Sequence, residues 1–135
     1  MITGMNTTYA LDKQLGHLAE DVVLPKLQSF FSPSIRKMPQ RYACFDYIDD
    51  TGTKYELKTR RNSMCAYKTT FLPTDKVIDG EQYFIFNYTD KIAYIKYDAE
   101  LFNSFDIQEL DDRRFGFSKK KPHYLIPISA LTPLP

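Results

Sequence analysis

Long hydrophobic runs are missing from this sequence. The longest are a few residues, far below the ~18 needed to cross a bilayer as a helix, so no membrane span is expected. The opening stretch MITGMNTTYA has no basic segment followed by an apolar one, and no secretion signal is read there. Cysteine is equally scarce. Cys44 and Cys65 are not in a CxxC pair, which argues against a disulfide framework and for a reducing intracellular compartment. The five glycines, at positions 4, 16, 52, 80 and 116, are too scattered to cradle a nucleotide phosphate. Nor does one sign of charge dominate: 18 basic and 17 acidic residues leave +1, giving no global electrostatic case for a nucleic-acid partner.

What is present is enough apolar material for one core. A chain of 135 residues that is 43% hydrophobic, with ten tyrosines and ten phenylalanines, is expected to form a single globular domain over 1–135. Charge is clustered locally. Arg36, Lys37 and Arg41 form one basic group, Lys54, Lys58, Arg60, Arg61 and Lys68 a second, and Arg113, Arg114 and Lys119 to Lys121 a third. Acids gather at 46–50 and at 98–112.

Helical spacing predicts one long helix from Tyr9 to about Phe31, capped by Thr7 or Thr8. Leu11, Leu15, Leu18 and Val22 make one stripe and Ala19, Val23, Leu27 and Phe30 a second, with Pro25 expected to kink or divide the helix. Ser32, Pro33, Ser34 and Pro39 end it. Tyr42 to Asp49 and Lys54 to Arg61 read as a hairpin, and Gln82 to Tyr88 with Ile92 to Tyr97 as another. Residues 62–80 are mixed, with a helical turn around Thr74 to Ile78. Ala99 to Phe105 reads as a short helix, and Phe115 to Phe117 and Tyr124 to Ile128 as short strands. The order predicts a mixed α/β domain built on one sheet.

The first hairpin carries the chemistry. If Asp50-Thr51-Gly52 is a three-residue loop with Gly52 left-handed, Asp49 lies opposite Thr53 and Asp46 opposite Glu56. Glu56 and Lys58 then share the face of Asp46. A two-residue loop would place Asp46 and Glu56 on opposite faces instead. Adjacent carboxylates repel unless a cation neutralises them, and oxygen ligands suit Mg²⁺ or Mn²⁺. An acid two residues before a lysine arises by chance more than once in such a chain, so Glu56-Leu57-Lys58 draws its weight from Asp46.

Phe45-Asp46, nine intervening residues and then Glu56-Leu57-Lys58 resembles the PD-(D/E)xK nuclease motif of the restriction-endonuclease-like fold. The resemblance covers about residues 15–97 plus the tail from Tyr124 to Leu131. It implies an α-β-β-β-α-β core with a mixed central sheet flanked by helices, and a small phage, viral or resolvase-like enzyme hydrolysing DNA with Mg²⁺ or Mn²⁺, as an endonuclease before an exonuclease. Asp46 and Glu56 would be metal ligands, Leu57 would offer its backbone carbonyl, and Lys58 would sit beside the attacking water. Glu20, in Gly16-His17-Leu18-Ala19-Glu20, matches the helix carboxylate that some members add. Phe45 stands in place of the motif's Pro, and Asp49 or Asp50 would replace Asp46 if the register slipped.

The stretch Tyr67-Lys68-Thr69-Thr70, with Lys76 beyond it, resembles the segment that follows the motif in small phage and viral members, which makes Lys68 and Lys76 candidates for phosphate contacts beside Arg60, with Lys119 to Lys121 a candidate grip on flanking duplex. His17 and His123 lack partners at metal-ligand spacing, and no motif supports a Cys65–His123 nucleophile pair. The chain leaves no room for a separate recognition domain, so specificity is expected from substrate shape, a homodimer or a partner protein. An RNA substrate is not distinguished from DNA at this level. The competing class is a binding or assembly module of the same fold that has lost catalysis.

Overall fold

Strands apolar on both faces need cover on both sides, and this requirement sets the architecture. The computed structural model describes residues 18–39, 44–112 and 119–135. Residues 18–30 form helix α1. There follow strands β1 (Arg36–Lys37), β2 (Tyr47–Ile48), β3 (Lys54–Thr59), β4 (Thr69–Pro73), β5 (Gln82–Asn87) and β6 (Ile92–Lys96). Helix α2 (Ala99–Asn103), β7 (Asp106–Asp112), β8 (Lys119–Pro127) and β9 (Thr132–Pro133) complete the order. Six strands form one sheet, β1-β2-β3-β5-β6-β9, and β4-β8-β7 form a second. The β3–β5 pair is parallel and every other pair antiparallel, so the large sheet is mixed. Among the described residues no helix is long and apolar enough to cross a membrane.

Alternation along β3 and β5 divides the core in two. Tyr55, Leu57 and Ile85 face α1 and pack with Val23, Leu27, Ile35 and Tyr47. Phe84 and Phe86 face the other way and pack with Leu72 and Ile126 of the second sheet and Phe102 of α2. Each buried phenylalanine contributes roughly 1.5–3 kcal/mol relative to exposure. Glu56 and Lys58 alternate with Tyr55 and Leu57, so they share the face of Phe84 and Phe86, at the rim of the second core.

Helix α1 departs from the expectation of two buried stripes. Val23 and Leu27 are buried, but Leu18 and Val22 are 54% and 66% exposed. Only one face of the helix meets the sheet, and Leu18 and Val22 lie one position, or about 100°, off it. Pro25 does not divide the helix, which runs unbroken over 18–30 with Pro25 on its exposed side. The part expected from Tyr9 to His17, with its cap, lies outside the described residues, as do Arg41, Tyr42 and the strand expected at Phe115 to Phe117.

The link from β3 to β5 also differs from the expected core. Among the described residues it contains no α-helix; it holds β4 and two single 3-10 turns, Met64–Ala66 and Thr74–Lys76. A second sheet therefore covers the face where a flanking helix was expected. Strands β1, β4 and β7 were not foreseen, and β8 extends well before Tyr124. Lys119 to Lys121, read as a loop, lie instead in β8 opposite Asp112, Asp111 and Leu110, and Lys121 Nζ lies 3.2 Å from Asp75 Oδ2. Pro122 is tolerated because the β4 ladder stops at His123, leaving β8 with one neighbour there.

Candidate active site

The turn that sets the register is built by Asp49. Gly52 adopts φ +87°, in the left-handed region, and its N–H donates to the Asp49 carbonyl at 3.0 Å. One Asp49 carboxylate oxygen accepts from Thr51 N–H, Thr51 Oγ1 and Thr53 N–H, and the other from the Tyr55 hydroxyl at 2.8 Å. Burial alone would raise the Asp49 pKa, but hydrogen bonds from Thr51, Tyr55 and Thr53 outweigh it and hold it below the usual value. Asp49→Ala strands the buried Tyr55 hydroxyl, and we expect a loss of roughly 1–3 kcal/mol in unfolding free energy by urea titration. Asp50 is exposed and pairs with Arg36 at 3.1 Å. Both acids are thus occupied in the turn, and neither replaces Asp46.

The observed register pairs Tyr47 with Tyr55 and Ile48 with Lys54, which is that of the three-residue loop. Asp46 lies just beyond the ladder. Its N–H returns to the Tyr55 carbonyl at 3.0 Å, so Asp46 and Tyr47 both face Tyr55 in the manner of a β-bulge, a device that re-aims a side chain. The Asp46 side chain turns along β3, where Oδ2 accepts the Leu57 N–H at 2.7 Å. N–H and C=O of one strand residue point to the same edge. The Leu57 carbonyl therefore shares the edge on which Asp46 stands.

Glu20 reaches this point from α1. The Tyr47 hydroxyl donates to the Glu20 carbonyl at 2.7 Å, pinning that turn of the helix against β2. Burial, then a hydrogen bond to the Asp46 carboxylate and its negative charge, push the Glu20 pKa up to about 7. Lys37 of β1 opposes this, with Nζ 3.5 Å from Glu20 Oε2 and 2.8 Å from Asp21 Oδ1. Nothing in the sequence marked Lys37 for this place beyond its membership of a basic group, because a two-residue strand leaves no periodic signal.

Glu56 is buried on the same face as Lys58. Burial and the Asp46 charge raise its pKa to about 6, against the pull of Lys58 and Lys76. Lys58 Nζ lies 3.6 Å and Lys76 Nζ 3.5 Å from Glu56 Oε1. Burial, with the neighbouring charges of Lys76 and Arg60, holds the Lys58 ammonium below its ordinary pKa, although Glu56 supports it.

No protein-family model, curated protein or solved structure matches this chain. The site stands on its own chemistry. Glu20 meets Asp46, and the Asp46 charge reaches Glu56, which pairs with Lys58 and with Lys76 from the turn after β4. Arg60 has its guanidinium committed to β4, with Nη2 donating to the Phe71 carbonyl at 2.6 Å and Nε to Thr70 Oγ1 at 3.2 Å. Lys68 is exposed on the approach to β4.

Glu20 and Glu56, both raised by burial and by the Asp46 charge, together with Asp46 and a backbone carbonyl are a donor set of hard oxygens suited to Mg²⁺ or Mn²⁺. In this conformation lysines stand at Glu56, and Glu20 is hydrogen-bonded to Asp46. Among the described residues no group of three His, Cys, Asp or Glu side chains is closed up at ligating distance. Holding a dication would require Glu20 and Asp46 to exchange their mutual hydrogen bond for it.

Proposed function

We propose that the protein is a Mg²⁺- or Mn²⁺-dependent nuclease of the PD-(D/E)xK type that hydrolyses DNA phosphodiester bonds, acting as an endonuclease. The observation that carries the reading is the meeting of Asp46, Glu56 and Lys58 at the end of β2 with Glu20 supplied by α1. The order α1-β1-β2-β3, followed by a strand parallel to β3, supports the same reading, while the non-helical β3–β5 link is this chain's own departure. Asp46, Glu56, Glu20 and the Leu57 carbonyl would hold the cation. A dication held there would supply positive charge against the charge that develops on the attacked phosphate and would make a water easier to deprotonate.

The chain's own residues do the rest. Asp46 is aimed by the Leu57 N–H, and Glu20 by Tyr47 and Lys37, so the acidic groups are positioned before substrate arrives. Lys58, buried and carrying a weakened hold on its proton, orients the attacking water or takes its proton. Lys76 offers a second ammonium on the phosphate side of Glu56, and Lys68 lies on the approach; both act as contacts that fix position without reading bases.

The test is incubation with supercoiled, linear, single-stranded and branched DNA, and with RNA, under Mg²⁺, Mn²⁺ or EDTA. Metal-dependent DNA cleavage, abolished by EDTA and by Glu56→Gln, is expected. Cleavage of RNA alone would move the assignment to a ribonuclease, and binding without cleavage would favour an inactive module.

A further inference from the structure

Residues 67–76 border the candidate site along β3. Arg60, at the end of β3, clasps Thr70 and Phe71, while the turn after β4 returns Lys76 to Glu56. Within β4, Thr70 and Leu72 are turned inward and buried. Phe71 is turned outward and is 47% exposed, and Tyr67, just before the strand, is 67% exposed. Lys68 lies between them, also exposed.

The Phe71 ring is not a loose surface side chain. The Arg60 guanidinium lies 4.9 Å from its centroid, and His123 meets it in a T-shaped contact at 5.7 Å. Its orientation is fixed before any ligand arrives, which lowers the entropy cost of binding to it. Two exposed rings with the exposed Lys68 between them in the chain combine the two elements that hold single strands: aromatic surfaces for base faces and positive charge for the backbone. In an uninterrupted duplex the base faces are stacked on one another and are not available to such rings.

We propose that Tyr67 and Phe71 form a stacking platform for unpaired bases, so that the DNA taken by this site is a single-stranded segment, free or adjoining a duplex. This rests on the nuclease reading for the identity of the site, but its test does not require cleavage. Binding of a fluorescent single-stranded oligonucleotide, the same strand made abasic throughout, and the corresponding duplex is followed by anisotropy in EDTA.

The intact single strand is expected to bind about tenfold or more tighter than the abasic strand or the duplex. Tyr67→Ala and Phe71→Leu are each expected to weaken single-strand binding about fivefold or more, with duplex binding unchanged and Tyr67→Phe near wild type. Tyr67 keeps the test decisive if Phe71→Leu disturbs the Arg60 clasp. Equal affinity for intact and abasic strands, no binding to any of them, or no effect of Tyr67→Ala would overturn the platform. A protein that shows this binding pattern but never cleaves with Mg²⁺ or Mn²⁺ loses the nuclease reading and keeps the platform; one that cleaves but does not distinguish the abasic strand does the reverse.

Discussion

Lys58→Met is expected to lower metal-dependent DNA cleavage by about 10²–10⁴-fold, the range that a positioned acid or base supplies, while leaving cation binding intact or tighter. The reasoning begins with the strand. Lys58 lies two residues beyond Glu56 on one face of β3, and its ammonium is 3.6 Å from a Glu56 oxygen with only 21% of the side chain exposed. Burial weakens its hold on the proton, a property wanted in a group that must orient or deprotonate water near neutral pH. Removing it also removes a positive charge beside Glu56, so the carboxylate becomes more available to a dication. Lys58→Arg keeps the charge but, with a guanidinium that does not deprotonate, is expected to restore little of the rate. Equal losses of cleavage and cation affinity in Lys58→Met would show instead that Lys58 only supports the fold of the site.

The second large effect is on stability. Burial and the charge of Asp46 raise Glu20 to about 7 and Glu56 to about 6, from 4.5 in each case. A carboxyl group whose pKa is raised by folding favours the folded state while it is protonated. Its contribution is full below pH 4.5 and is lost as the pH rises through about 6 for Glu56 and about 7 for Glu20. The metal-free protein should therefore lose melting temperature between pH 5 and pH 8. Mn²⁺ at about a hundredfold over its Kd should raise Tm on the order of 10 °C at pH 8, and by much less at pH 5, where protons compete for the same oxygens. Asp46→Asn removes the charge that elevates both glutamates, so its metal-free Tm at pH 8 should exceed that of the wild type and its response to Mn²⁺ should vanish. A Mn²⁺ shift independent of pH would contradict this linkage.

The hairpin geometry was legible in the sequence because it is local. Asp50-Thr51-Gly52 allows few loop conformations, Gly52 takes the left-handed position, and the register then follows by counting. Glu20 was reached through the resemblance, as the helix carboxylate that some members of that family add. The bulge at Asp46 was not legible: it depends on the chain leaving the ladder where β2 ends, and no residue type announces that. Strands β4 and β7 were hidden for a different reason. Thr69–Pro73 owes its pairing to β8, 50 to 58 residues further on, while Asp106–Asp112 pairs with β8 in an adjacent hairpin but, as DIQELDD, has too few apolar positions to read as a strand unaided. The two-stripe reading of α1 failed because sequence shows which residues are apolar but not how wide a face the sheet will cover, and Leu18 and Val22 fall outside it.

The most direct test of the central claim, that Glu20, Asp46 and Glu56 form a cation site, is a calorimetric titration of the metal-free protein with Mn²⁺ at pH 7.5, with Asp46→Asn alongside. Saturable binding in the wild type that disappears in Asp46→Asn is the predicted result. The same heat in both proteins would contradict the assignment and with it the metal-dependent chemistry proposed for the site.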